Sequence, residues 1–261
     1  MNLEHKKTIN KTQKRVIGVM IATTIMAVLI FIGVRYVNDF YRASTTAQKA
    51  IVGNDAVEVK EEDNYYFFHN VKVDEDSEIS DYPGYGKGII FYPGGKVEET
   101  AYAPLLLEFA EMGYDVYLVK MPAKLAIFGM NRAEEILGLE NDVKEWIMMG
   151  HSLGGAMAAS FCASHDEEID GLVLLAAYST EDLTDKEIDV YSFYGSEDTV
   201  LNLEKYNAYK ENLPEETVEL VIEGGNHAYF GFYGEQEKDG AATINREEQI
   251  ASVIDYMHIE N

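Results

Sequence analysis

Residues 145–157 read Glu-Trp-Ile-Met-Met-Gly-His-Ser-Leu-Gly-Gly-Ala-Met. Three signals meet in this stretch. Trp146–Met149 is an apolar run of strand type. Gly150-His151-Ser152-Leu153-Gly154 fits the pattern G-x-S-x-G. Gly154–Ala163 is a small-residue segment of helical type. Strand, sharp turn and helix in that order form the setting of a nucleophile elbow, in which a serine hydroxyl is presented at the start of a helix. The turn is strained, so its near neighbours must be small. An ordinary Gly-rich strand–helix turn is the alternative, and the flanking segments favour the elbow.

Working outward, strand-like and helix-like segments alternate from residue 56 onward. Val57–Lys60, Tyr65–His69, Gly88–Tyr92, Tyr114–Met121, Leu172–Ala176, Val190–Tyr194 and Val218–Ile222 read as strands. Tyr102–Met112, Leu125–Leu137, Leu203–Asn212 and Glu247–Met257 read as helices. The alternation predicts an α/β domain, a mostly parallel central sheet with helices on both faces. The gap from Ala177 to Asp189 is too short for a large cap domain.

A serine hydroxyl is a weak nucleophile and needs a base, and the base needs a carboxylate to fix its tautomer. Of six histidines, His227 is the candidate base, because Gly224-Gly225-Asn226-His227 forms a loop just beyond a strand. His151 lies inside the motif as a neighbour of the serine. His5, His69, His165 and His258 are placed elsewhere. Asp198, in Gly195-Ser196-Glu197-Asp198 after a strand, is the candidate acid, with Glu197 as its rival. The order is then Ser152, Asp198, His227, the chain order of nucleophile, acid and base that goes with a nucleophile elbow. An oxyanion needs two preset N–H donors. The Leu153 amide is one. The other comes from the loop Pro93-Gly94-Gly95-Lys96, with Gly95 first and Lys96 next. Cys162, on the helix after the serine, reads as a buried structural thiol. Aromatic residues in Lys120–Phe128 and Ala228–Tyr233 suggest an apolar pocket, with core packing as the alternative.

The segments FYPGGKVEETAYAPLLLEFAEMGYDVYLVKMP (91–122), GHSLGGAMA (150–158), GSEDTV (195–200) and GGNHAYFGFYG (224–234) resemble the α/β-hydrolase superfamily. They are most similar to a bacterial branch of small hydrolases related to the dienelactone-hydrolase type. The resemblance extends over about 85–261. It implies Ser152 as nucleophile, Asp198 as acid and His227 as base. Dienelactone enzymes typically use a cysteine nucleophile. A serine in its place turns the expectation toward a serine esterase, which acts on a small-molecule or lipid-like ester and needs no metal or organic cofactor. Acyl transfer to a cell-envelope acceptor and non-catalytic binding on the same fold are the alternatives.

Charge divides the 261-residue chain in two. Residues 1–35 hold six Lys/Arg against Glu4, a balance of +5, whereas the remainder holds 15 basic and 45 acidic side chains, a balance of −30. That acidity argues against nucleic-acid binding, and a single cysteine excludes an internal disulfide. Val16–Val34 is a 19-residue run without a charge. As a helix it spans about 28 Å, close to the bilayer core. Five Lys/Arg precede it. The expected organisation is a basic cytoplasmic tail (1–15), a transmembrane anchor (16–34), a polar juxtamembrane stalk (35–55) and an extracytoplasmic hydrolase domain (56–261). A cleaved signal peptide is the competing reading. Asp74–Asp81 reads as a solvated acidic turn, since Ile79 stands where a calcium loop of the EF-hand type needs glycine.

Overall fold

The computed structural model describes residues 10–73 and 82–259, with the side chains of 258 and 259 excepted. The acidic turn 74–81 lies outside the described residues, as do the first nine residues of the basic tail. The chain divides into two units, Met1–Asp39 and Phe40–Asn261.

The first unit is one helix, α1 (Lys11–Asn38), begun by a capping box in which the Asn10 and Gln13 side chains each accept the other's backbone N–H. Its apolar side chains are exposed all round, and none is buried. The Thr23 and Thr24 hydroxyls donate to the Met20 carbonyl, so their polar atoms are satisfied within the helix. By length and composition α1 can cross a membrane.

The second unit is built on eight strands: β1 (Val57–Glu61), β2 (Tyr65–Asn70), β3 (Lys87–Tyr92), β4 (Asp115–Val119), β5 (Glu145–His151), β6 (Gly171–Leu175), β7 (Asp189–Gly195) and β8 (Val218–Ile222). They form one sheet in the order β1-β2-β4-β3-β5-β6-β7-β8. β2 pairs antiparallel with β1 and β4, and every other pairing is parallel. The central strands are buried on both sides, and their alternate residues feed two cores. Ile89, Phe91, Ile147, Met149, Val173 and Leu175 meet α3 (Ala103–Glu111) and α7 (Arg246–Ile259). Ile90, Tyr92, Trp146, Met148, Leu172 and Leu174 meet α4 (Ala133–Leu137) and α5 (Leu153–Ser164). This is the period-two division of a sheet covered on both faces. Between β6 and β7 there is only a short irregular link, so no large cap domain is inserted there.

Two expectations are corrected. The helix read over Leu125–Leu137 is a series of 3-10 turns, Pro122–Lys124, Ala126–Phe128 and Met130–Arg132, and only Ala133–Leu137 is α-helical. Ala123 and Lys124 enter it with positive φ (53° and 57°), and within it Leu125 (φ −133°, ψ 112°) and Gly129 (φ −139°, ψ 27°) depart from helical geometry. The Tyr92 hydroxyl then donates to the Met130 carbonyl and accepts the Ala133 N–H at 3.0 Å, fixing the start of α4. The stalk read over 35–55 is folded from Phe40 onward. Tyr41 bridges Val97, and α2 (Thr45–Ala50) buries Ala47 completely.

The His69 imidazole on β2 lies 2.7 Å from the Asp115 carboxylate on β4. That hydrogen bond raises the His69 pKa above its ordinary value, against partial desolvation. A raised folded-state pKa adds stability below the unfolded value of about 6.5 and loses it as pH rises through the folded value. Both groups are partly solvated, so the effect is no more than about 1 kcal/mol. Melting temperatures of wild type and His69→Gln should differ most near pH about 5.5 and converge above pH about 8. A gap independent of pH would contradict this.

Candidate active site

β5 runs into α5 through Gly150–Gly154, and Ser152 sits at the corner with φ 53° and ψ −121°. A non-glycine residue held there stores about 1–3 kcal/mol of strain. The surroundings over-determine it. The Ser152 N–H donates to the Leu175 carbonyl at 2.9 Å, and the Ser152 carbonyl accepts the Ala156 N–H at 3.1 Å. Two glycines are fixed by close approach. A Cβ on Gly150 would lie 2.6 Å from the Gly154 carbonyl carbon, and one on Gly154 would lie 2.1 Å from the Tyr92 oxygen. The motif therefore packs the elbow directly under the end of β3.

Asp198 lies just beyond β7, and His227 lies in the loop beyond β8. Their side chains are almost wholly buried and meet at 2.8 Å between His227 Nδ1 and Asp198 Oδ2. The other carboxylate oxygen accepts the Val200 and Leu201 amides, each at 2.8 Å, so the Asp198 carboxyl is fixed in orientation. Nδ1–H donation leaves Nε2 of His227 as the acceptor nitrogen. Glu197 is turned away, its carboxylate 3.5 Å from the Ser196 hydroxyl. The loop holding His227 is clamped from three sides. Buried Gln249 of α7 accepts the Asn226 N–H at 2.9 Å and donates to the Asn226 carbonyl at 2.8 Å. Asp239 accepts the Ala228 N–H at 2.8 Å. Asn226 accepts the Tyr229 N–H at 3.1 Å.

His151 links these pieces. Its Nε2–H donates to the His227 carbonyl at 3.1 Å. Its Nδ1 accepts the Tyr102 hydroxyl proton at 2.8 Å, and the Tyr102 oxygen accepts the Gly94 N–H at 3.1 Å. Burial, and then the neighbouring His227, hold His151 well below the usual histidine range, so it stays neutral. The two imidazole centroids are 4.7 Å apart. The loop after β3, the elbow and the loop after β8 thus share one buried chain of hydrogen bonds.

Three successive amides of the loop after β3 have different fates. Gly94 N–H is given to Tyr102, and Lys96 N–H donates to the Lys124 carbonyl at 2.7 Å. Gly95 N–H, between them, has no partner among the described residues, and the same holds for the Leu153 N–H at the start of α5. The Gly95 and Leu153 residues adjoin: a Cβ on Gly95 would lie 3.1 Å from Leu153 Cδ2. Among the described residues the Ser152 hydroxyl makes no hydrogen bond. Proton-transfer contacts commonly close only when substrate is bound.

The remaining candidates fall into structural places. Cys162 is buried, and burial pushes its thiol up. His165 stacks on Phe161 at 3.9 Å. Phe230, Phe232 and Tyr233 belong to the core, the alternative reading of Ala228–Tyr233. No group of three or more His, Cys, Asp or Glu side chains among the described residues is placed to hold a metal ion. The sequence does not announce the roles of Tyr102, Asp239 and Gln249: Tyr102 falls within the segment 91–122 without a chemical signature, and Asp239 and Gln249 lie outside the quoted segments.

The chain matches the α/β hydrolase family over residues 88–251. It belongs to the α/β-hydrolase family. The fold recurs in solved structures. A Thermoplasma acidophilum protein assigned as a CIB-like hydrolase matches with a TM-score of 0.56 at 15% identity, covering 78% of this chain and 99% of that one. A Klebsiella pneumoniae protein assigned as a dienelactone hydrolase gives 0.57 at 13%, covering 78% and 97%. An esterase from the planctomycete Thermogutta terrifontis gives 0.51 at 14%, covering 79% and 92%. Among curated proteins none matches the chain. At these identities the neighbours establish the fold of this α/β hydrolase, and its chemistry rests on its own residues.

The link through Tyr102 is open to a direct test. Tyr102→Phe leaves the Gly94 N–H and His151 Nδ1 unpaired in a buried space. Urea unfolding should show a loss of about 1–3 kcal/mol. A loss below about 0.5 kcal/mol, within the range of neutral surface changes, would contradict the network.

Proposed function

We propose that this chain is a membrane-anchored serine hydrolase that cleaves ester-type acyl bonds through Ser152, His227 and Asp198. The observation that carries the reading is the buried 2.8 Å contact of His227 with Asp198, in a loop tied to the residue before a strained serine. In this reading residues 1–15 are a cytoplasmic tail, 16–34 span the membrane, and the catalytic unit lies outside the cytoplasm.

The chemistry follows from the groups present. His227 Nε2 takes the Ser152 proton as Oγ attacks the acyl carbon. The negative charge that forms on the carbonyl oxygen meets the Gly95 and Leu153 N–H groups, which have no other partner among the described residues. Asp198 stabilises the imidazolium and does not itself take the proton. His227 then gives the proton to the departing alcohol, which leaves an acyl group on Ser152. Water enters, His227 takes one of its protons, and the hydroxide portion attacks the acyl carbon. The acid departs, and the proton returns to Ser152. Asp198 rather than Glu197 fills the acid role, since only its carboxylate meets the imidazole.

Two measurements test the reading. Ser152→Ala should abolish fluorophosphonate labelling, and hydrolysis of a chromogenic ester should fall about 10⁴-fold or more. Asp198→Asn should lower kcat by about 10³–10⁴-fold, whereas Glu197→Gln should stay within about threefold of wild type. Labelling that survives Ser152→Ala would sink the assignment, and a Glu197→Gln loss matching that of Asp198→Asn would overturn the choice of acid.

A further inference from the structure

One exposed apolar pair stands out on the catalytic unit. Ile127 is 58% exposed and Phe128 is 64% exposed, and among the described residues of this unit no other two adjacent large apolar side chains are exposed. A single exposed apolar residue needs no explanation, whereas two large neighbours on the tip of a tight turn form one contiguous apolar projection. The turn Ala126–Phe128 is firmly placed. It follows the positive-φ residues Ala123 and Lys124, and the Phe128 and Gly129 amides close it onto the Leu125 and Ala126 carbonyls. Its neighbour Leu125 approaches the loop after β3, with a Cβ on Gly95 lying 3.7 Å from Leu125 Cδ2.

The same loop receives the chain as it enters the fold. The Lys96 N–H donates to the Lys124 carbonyl on the side of the apolar turn, and the Lys96 carbonyl accepts the Tyr41 N–H at 2.8 Å. Glu98 N–H donates back to the Tyr41 carbonyl at 2.8 Å. Tyr41 stands three residues after Asn38, the last residue of α1. The chemistry around the entry is that of a membrane–water boundary: Arg42 lies 4.6 Å and Lys124 5.5 Å from the centre of the Phe40 ring. An aromatic ring flanked by cations suits the headgroup level.

We infer that Ile127 and Phe128 insert into the bilayer that holds the N-terminal span, so that the site takes its ester from that bilayer. The inference rests on the serine hydrolase reading and names its substrate class: an amphiphile whose acyl chain lies in the lipid phase while its carbonyl sits at headgroup level. The Gly95 amide and the apolar turn then share one edge of the unit, with the reacting carbonyl delivered beside the lipid surface.

The full-length chain reconstituted into phosphatidylcholine vesicles tests this in two independent ways. An environment-sensitive dye is placed on Phe128→Cys or, as control, on Val221→Cys; the native Cys162 is buried and does not compete. Spin-labelled lipid should quench the dye at position 128 at least threefold more strongly than at 221. Equal quenching overturns the inference, as does disulfide cross-linking between two copies at position 128 without lipid quenching. In the second arm, the paired change Ile127→Glu with Phe128→Glu should lower the ratio of vesicle-borne long-chain ester turnover to soluble short-chain ester turnover at least tenfold. An unchanged ratio overturns the inference. Absence of turnover of both esters by wild type counts against the hydrolase reading instead, and the quenching result still decides the membrane contact.

Discussion

The site depends on a single tight passage, where the elbow carries the chain from β5 into α5 beneath the end of β3. Gly154 lies so close to the Tyr92 and Pro93 carbonyls that a methyl group has no room. That contact does two things at once. It forces Ser152 into a backbone conformation that L residues rarely adopt, and it presses the start of α5 against the loop that bears Gly95. Strain at one residue is held by dense packing on every side, which is the condition under which such strain persists.

From that passage the electrostatics follow. The first amides of a helix have no partner within the helix, and here the Leu153 N–H sits beside a second unclaimed amide, Gly95. The neutral His151 ring accepts from Tyr102 on one side and donates to the His227 carbonyl on the other. A protonated His151 would place a second cation beside the imidazole that the proposed reaction must charge, so its burial and neutrality serve the site. Gln249 brings α7 into the same construction by gripping the backbone of Asn226. The C-terminal helix therefore does more than cover the sheet: it sets the loop that presents His227.

Much of this was legible in the sequence because the central strands are short, apolar and bounded by turn residues. Ile89–Tyr92, Trp146–Met149 and Leu172–Leu175 carry two-sided burial that a run of apolar residues announces. The elbow was legible because sterics restrict its glycines. The segment 125–137 has the apolar spacing of a helix, but extended Leu125 and non-helical Gly129 divide it into turns. Residues 40–55 were misread as a stalk because polar composition conceals main-chain pairing: Tyr41 binds through its backbone, and only Ala43 and Ala47 are buried there. Tyr102, Asp239 and Gln249 had no signal, since each acts on a backbone group or ring that the fold brings near, across separations of 8 to 49 residues that no local pattern marks.

The central claim is that Ser152 carries the acyl group between two half-reactions. Acid quenching during turnover of a slowly deacylating ester, followed by mass mapping of peptides, measures this directly. The account predicts an added acyl mass on the peptide containing Ser152 and its absence in Ser152→Ala. An acyl mass on another residue, or ester turnover that proceeds with no covalent adduct at any time point, would contradict it.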